Sequence, residues 1–300
     1  GQCNLELENC SGLLEELKKE NCLDLNRCKF NTSAKKRIYI IGDSHAQVII
    51  PNLRNQIVDK DYQFITSAIG GCFFFPGFNK VEVKTEGISN FCHDNYFSEL
   101  EKELKKYNDS VIIFIGRLPL YLSNYYFDNK EGGIEDDIMA SNTKSGKKWK
   151  NKFLSTGKYE SIQVSFKDTV KNLSKNNKII LIYPIPEVGW HVPRKILQQN
   201  PATFISSTKQ SDLKNITTSY QVYKKRTLSS FKLLDSINGK NVYQIYPHKL
   251  FCDTFIKERC VTHDNKNIFY SDDDHLSLKG AEMLNDLIIK KIDKINEHAK

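Results

Sequence analysis

The chain has 300 residues, of which 39% are apolar and 27% charged, with 15 glycines and 8 prolines. This balance excludes disordered and collagen-like chains, and a chain this long buries about three quarters of its unfolded surface without a metal or a partner. The net charge of +8 is spread along the sequence and comes with no nucleic-acid-binding motif, so no nucleic-acid partner is expected; an anionic glycan, a membrane surface or plain solvent suits such a surface.

No apolar run reaches roughly 18 residues and no basic-then-apolar leader opens the chain, so neither a bilayer span nor a signal peptide is expected within it. Eight cysteines fall in three groups: Cys3, Cys10, Cys22 and Cys28; Cys72 and Cys92; Cys252 and Cys260. None forms a C-x-x-C pair, which argues against zinc, and no metal site is expected. The natural pairing is two local staples, Cys72–Cys92 and Cys252–Cys260, plus a knot in which the first four pair among themselves. Such usage points to an oxidising compartment, periplasmic or extracellular.

In chain order, residues 1–34 read as a Cys-tied, charged extension, and residues 35–300 as the main domain. Arg37–Ile41 is a short Val/Ile-type run that suits a strand buried on both faces. Gly42-Asp43-Ser44-His45 follows it directly. A serine at the carboxyl end of such a strand, on the turn into a helix, has an exposed hydroxyl and nearby backbone N–H donors for an oxyanion. Gly42-Asp43-Ser44 also suits an ordinary turn with Ser44 as a helix cap. Tyr62–Thr66 is the second strand, followed by Ala68-Ile-Gly-Gly-Cys72. Val111–Ile115 is the third, followed by Gly116-Arg117-Leu118-Pro119.

Residues 119–159 read as a long loop or insertion, Tyr-rich and then Gly- and Lys-rich. Ile162, Phe166, Val170 and Leu173 recur at helical spacing, Ile179–Tyr183 forms a fourth strand, 216–235 a helix, and Asn241–Ile245 a fifth strand. Before the last helix, which starts near a cap at Ser277, stands Asp272-Asp273-Asp274-His275-Leu276-Ser277. Asp272 is three residues before His275, a spacing that lets its carboxylate hold the imidazole through Nδ1 while Nε2 faces a serine. Asp273 and Asp274 read as solvated or as serving the turn and the helix N-terminus. Strands alternating with helices argue an α/β fold with a mostly parallel sheet.

Taken together, Gly-Asp-Ser-His after the first strand and Asp-x-x-His before the last helix resemble the SGNH (GDSL-type) hydrolase superfamily. The Asp272–Ser277 string with Gly280 after it, the Cys252/Cys260 pair and Tyr183-Pro-Ile-Pro-Glu187 with Val188-Gly-Trp190 resemble, more narrowly, the SGNH domain fused to membrane acyltransferases of the acyltransferase-three family. The resemblance implies a three-layer α/β/α flavodoxin-like sandwich with a five-stranded sheet. It implies Ser44 as nucleophile, His275 as base and Asp272 as orienter, with an oxyanion hole from the Ser44 N–H and Gly71 or Gly70. The superfamily's third donor is an asparagine; here Arg117 stands near its position, where it could supply that donor, hold an anionic substrate or pair with a surface acid. His45 follows the nucleophile and could donate to the site or pack at the helix start. Trp190 and Tyr121 could stack on a sugar or serve as packing. No bound cofactor is implied; the acetyl group would come from acetyl-CoA through a membrane domain, the partner of this one, and pass to a cell-surface glycan such as lipopolysaccharide or peptidoglycan on the extracytoplasmic face. A secreted carbohydrate acetylesterase and an inactive glycan-binding module are the other readings.

Overall fold

A computed structural model of the chain describes residue 22, residues 24–82, 86–135, 149, 151–199 and 216–297. Five parallel strands form its centre: β2 (Lys36–Gly42), β3 (Tyr62–Ala68), β6 (Val111–Ile115), β8 (Lys178–Ile182) and β10 (Val242–Ile245). Their spatial order is β3-β2-β6-β8-β10, which is the flavodoxin-like winding. A sixth strand, β1 (Arg27–Phe30), pairs antiparallel with β3 at the edge. It comes from the segment that the sequence suggested as an extension.

Alternation along each strand sends successive side chains to opposite faces, and both faces are covered. On one face Ile38, Ile40, Ile113, Ile180 and Ile182 pack under α1 (Ser44–Val58) and α8 (Leu278–Glu297). On the other, Tyr39, Ile112, Phe114, Ile179 and Leu181 pack under α2 (Asp94–Lys106), α4 (Ile162–Leu173) and α6 (Tyr220–Asp235). The result is a three-layer α/β/α sandwich. Helix α4 starts where Ser161 accepts from the Val164 N–H, and α8 where the Ser277 hydroxyl accepts from the Gly280 N–H, so polar caps stop both helices running back into the loops.

The segment read as a long loop carries more structure than its composition suggested. Helix α3 (Leu118–Ser123) opens it with Pro119 in the first turn, and β7 (Lys152–Ser155) joins β4 (Phe78–Glu82) and β5 (Gly87–Ile88) in a small antiparallel sheet. Residues 217–219, expected to be helical, form β9 instead and pair with β11 (Arg259–Val261). Two short helices, α5 (Val192–Gln199) and α7 (His248–Phe251), complete the described elements. Disulfides join Cys72 to Cys92, Cys252 to Cys260 and Cys22 to Cys28. Cys3 and Cys10 lie outside the described residues.

Gly42 closes β2 where that strand pairs with β6. A methyl group there would stand 1.9 Å from the Ile115 carbonyl oxygen, a backbone atom that cannot move without breaking the sheet. Gly42→Ala is therefore expected to lower unfolding stability by about 3 kcal/mol, at the upper end for overpacking. Urea denaturation would measure it, and an unchanged midpoint would show that the β2–β6 contact yields more easily than the backbone packing implies.

Candidate active site

Asp43, not Ser44, caps helix α1: its Oδ1 accepts from the His45 N–H at 2.9 Å. Its Oδ2 accepts from the Arg117 backbone N–H at 2.7 Å and from the Tyr121 hydroxyl at 2.8 Å. One fully buried carboxylate thus fixes the turn after β2 to the turn after β6. Ser44, freed from capping, is the first residue of the helix, where backbone N–H groups have no intrahelical acceptor.

His275 reaches this turn from the loop before α8. Its Nε2 lies 2.7 Å from Ser44 Oγ, and its Nδ1 lies 2.8 Å from Asp272 Oδ2. Asp272 Oδ1 accepts from the backbone N–H groups of Asp274 and His275, so the carboxylate shapes its own turn. The loop is also clamped from outside. The Val188 and Gly189 N–H groups donate to the Asp273 carbonyl and that of Val192 to the Asp272 carbonyl.

Asp274 holds the back of the site. It is 3% exposed, and its Oδ1 stands 3.2 Å from His275 Nδ1. Its Oδ2 stands 3.0 Å from His45 Nε2 and 3.1 Å from an Arg117 nitrogen. The expectation that Asp274 is solvated or serves the helix N-terminus is thus corrected. The sequence held one signal, three adjacent acids before a histidine, but not which of them turns inward.

Arg117 also departs from its expected roles. Its Nε donates to Glu187 at 2.7 Å, one terminal nitrogen donates to Glu135 at 2.8 Å and stands beside Asp274, and the other donates to Glu135 and stands 2.6 Å from Glu187. All three nitrogens are committed to buried carboxylates, so the guanidinium supplies no oxyanion donor, holds no anionic substrate and pairs with no surface acid. Arg226 adds a second cation on Glu187. His45 is 1% exposed and faces Asp274, and Tyr121 is 6% exposed among Phe73, Phe75, Trp149 and Phe153. Both side chains are buried, which agrees with the packing reading of each rather than with contact to a substrate.

Gly70 and Gly71 lie in a turn in which the Cys72 N–H donates to the Ile69 carbonyl. Gly71 has φ +64°, a conformation that favours glycine. The Ile69 N–H donates to the Gly42 carbonyl, which places the turn beside the Ser44 elbow. No described oxygen accepts from the N–H of Gly70 or Gly71. Trp190 is half-buried and lines a groove of about 490 Å³ with Gly132, His191, Arg194, Lys195 and, from the loop before α8, Asp272 and Asp273.

The electrostatics follow from this crowding of acids. Burial would lower the His275 pKa, but hydrogen bonds and charge from Asp272 and Asp274 outweigh it and push the value up to about 10. Burial would raise Asp272, yet its hydrogen bond from His275 holds it below the usual carboxylate range. Burial would likewise raise Asp274, and Arg117 with the two histidines holds it far below. Asp273 has no such cation; burial and the charges of Asp274, Glu135 and Asp272 push it up to about 7. The donor atoms of Asp272, Asp273 and Asp274 lie within 4.8 Å of one another, as do those of His45, Asp274 and His275, but Asp274 is already spent on Arg117 and the histidines. A serine hydroxyl, an imidazole and a carboxylate in this line, with free N–H groups beside the hydroxyl, can deprotonate an alcohol and stabilise a tetrahedral anion.

The raised His275 value is testable by following its ring protons by NMR across pH. The midpoint is expected near 10 in the native chain. It should fall in Asp274→Asn, which keeps the shape and removes one of two carboxylates. An unmoved midpoint would show that Asp274 does not act on the imidazole.

Several comparisons bear on this geometry. No curated protein sequence matches the chain. Among solved structures, the lipopolysaccharide acetyltransferase periplasmic domain of Salmonella ser. Paratyphi A shares the fold, with a TM-score of 0.53 over 97% of this chain and 98% of that one, at 17% sequence identity. The family described as the SGNH domain fused to AT3 domains matches residues 10–290. That span covers nearly the whole sequence, motifs and sheet included, and the chain belongs to the SGNH domain family.

Proposed function

We propose that the chain is a serine-dependent O-acetyltransferase domain that passes an acetyl group, through an acyl-serine on Ser44, to a cell-surface glycan of the lipopolysaccharide or peptidoglycan type. The observation that carries the reading is the line Asp272–His275–Ser44, with successive contacts of 2.8 and 2.7 Å. His275 takes the Ser44 proton as Oγ attacks the acetyl carbonyl, and Asp272 stabilises the imidazolium. The tetrahedral oxygen is held by the N–H groups of Ser44 and Gly71. Collapse returns the proton to the leaving group and leaves acetyl-Ser44, and a sugar hydroxyl then attacks it by the reverse sequence.

The choice of acceptor rests on kinship. The family is described as fused to AT3 domains, and the similar Salmonella structure is called a lipopolysaccharide acetyltransferase periplasmic domain. In this reading a membrane portion delivers acetyl groups from acetyl-CoA, and the present domain works at the extracytoplasmic face, where disulfides persist. No described helix is long and apolar enough to cross a membrane. The groove beside Asp272, with Trp190 on its wall, gives a sugar chain a place to lie.

Ser44→Ala removes the nucleophile and leaves the helix cap, which belongs to Asp43. Acetylation of the glycan by cells carrying this variant in the full-length protein is expected to drop to background, with unchanged protein level. Acetylation at the native level would end the serine mechanism. Acetate release without glycan acetylation in the native protein would favour an esterase.

A further inference from the structure

The most unusual charge outside the groups already described is Lys80. It lies on β4, is 7% exposed, and among the described residues its ammonium has no hydrogen bond or ion pair. Glu82 is the charge that acts on it, from too far away for an ion pair. The side chain is largely buried along its stem, and burial pulls the ammonium's pKa down. An ammonium with no partner of its own is free to donate to an anion that arrives beside it.

Its position indicates which anion. Lys80 Nζ stands 3.3 Å from the point where a Cβ on Gly71 would be. Gly71 belongs to the turn bonded to Gly42, and the neighbouring Gly70 faces Gln47, one helical turn beyond Ser44. The lysine is also fixed there. Its backbone N–H donates to the Cys92 carbonyl at 2.9 Å, and Cys92 is disulfide-bonded to Cys72, the residue after Gly71. The staple therefore ties the strand carrying Lys80 to the turn carrying Gly71. Arg117, which follows β6 at this end of the sheet, is consumed by Glu135, Glu187 and Asp274.

We propose that Lys80 is a catalytic residue whose ammonium, next to Gly71, contacts and stabilises the oxyanion formed when Ser44 attacks the acyl carbonyl. The proposal rests on the acyl-serine reading above. In the step, the Ser44 Oγ–C bond forms and the carbonyl π pair moves onto oxygen. The Ser44 proton moves to His275 Nε2, and Lys80 keeps its own proton throughout while donating to the new anion. On collapse the pair returns, the bond to the leaving group breaks, and His275 gives that group its proton.

The test is the rate at which an alkyl fluorophosphonate labels Ser44, followed by intact mass, since the phosphonyl oxygen occupies the same hole. In Lys80→Met the limiting labelling rate is expected to fall about 10²–10³-fold, as when one oxyanion donor is removed. The half-saturating probe concentration should not change, and unfolding stability should hold, since Met keeps the packing of the apolar stem and no bonded partner is lost. Lys80→Arg should recover part of the rate, and Lys80→Gln serves if Lys80→Met does not fold. Native-rate labelling in the neutral variants, or a change confined to half-saturation, would overturn the assignment of Lys80 alone. Failure of the native chain to label at Ser44 would instead overturn the serine reading.

Discussion

A buried guanidinium organises the active end of this fold. Arg117 follows β6 at the centre of the sheet and gathers Glu135, Glu187 and Asp274 around itself. These acids come from the segment after α3, the loop after β8 and the loop before α8. Removing the cation would leave three carboxylates buried together, which breaks a structure far more than the intact pair stabilises it. The contribution of the cluster is therefore geometric. It seats Asp274 behind the His275 ring, and the backbone clamp from Val188, Gly189 and Val192 holds the same loop from the other side.

The charge balance of the cluster sets the chemistry of the histidine. Arg117 and Arg226 pair with Glu135, Glu187 and Asp274, while Asp272 and Asp273 on the same loop have no arginine of their own among the described residues, so negative charge is in excess. That excess raises both His275 and Asp273. An imidazolium is what the base becomes in the transition state of acyl transfer, and two carboxylates favour it. The same carboxylates reduce the neutral base at pH 7, so such a site gains transition-state stabilisation at the expense of resting base. A second carboxylate on Nδ1 also restricts the ring to the orientation in which Nε2 meets Ser44.

Much of this was legible in the sequence, and what was not has a common cause. The five parallel strands could be read because each is a short run rich in β-branched or aromatic residues, and Asp272 and His275 because their partnership is local, three residues apart. Gly71 was legible as a glycine in a turn, whereas Gly42, which reads as part of the turn, closes β2. The tasks of Asp43, Asp274, Arg117 and Lys80 were not, because each is defined by partners far along the chain. Arg117 and Glu187 are 70 residues apart, and Tyr121 and Asp43 are 78 apart. Spacing does not record such pairings. Strand β1 was missed for a related reason: its neighbour among the described strands, β3, is reached across α1, and its sequence is short and charged.

The central claim is that acetyl transfer passes through a covalent bond to one hydroxyl. Its most direct measurement is peptide mass spectrometry of the chain quenched in acid during reaction with an activated acetyl ester. A single acetyl group on the peptide containing Ser44, appearing before product and chased away by a glycan acceptor, is the expected result. Turnover with no acetyl on that peptide, or with the acetyl on another residue, would contradict the account.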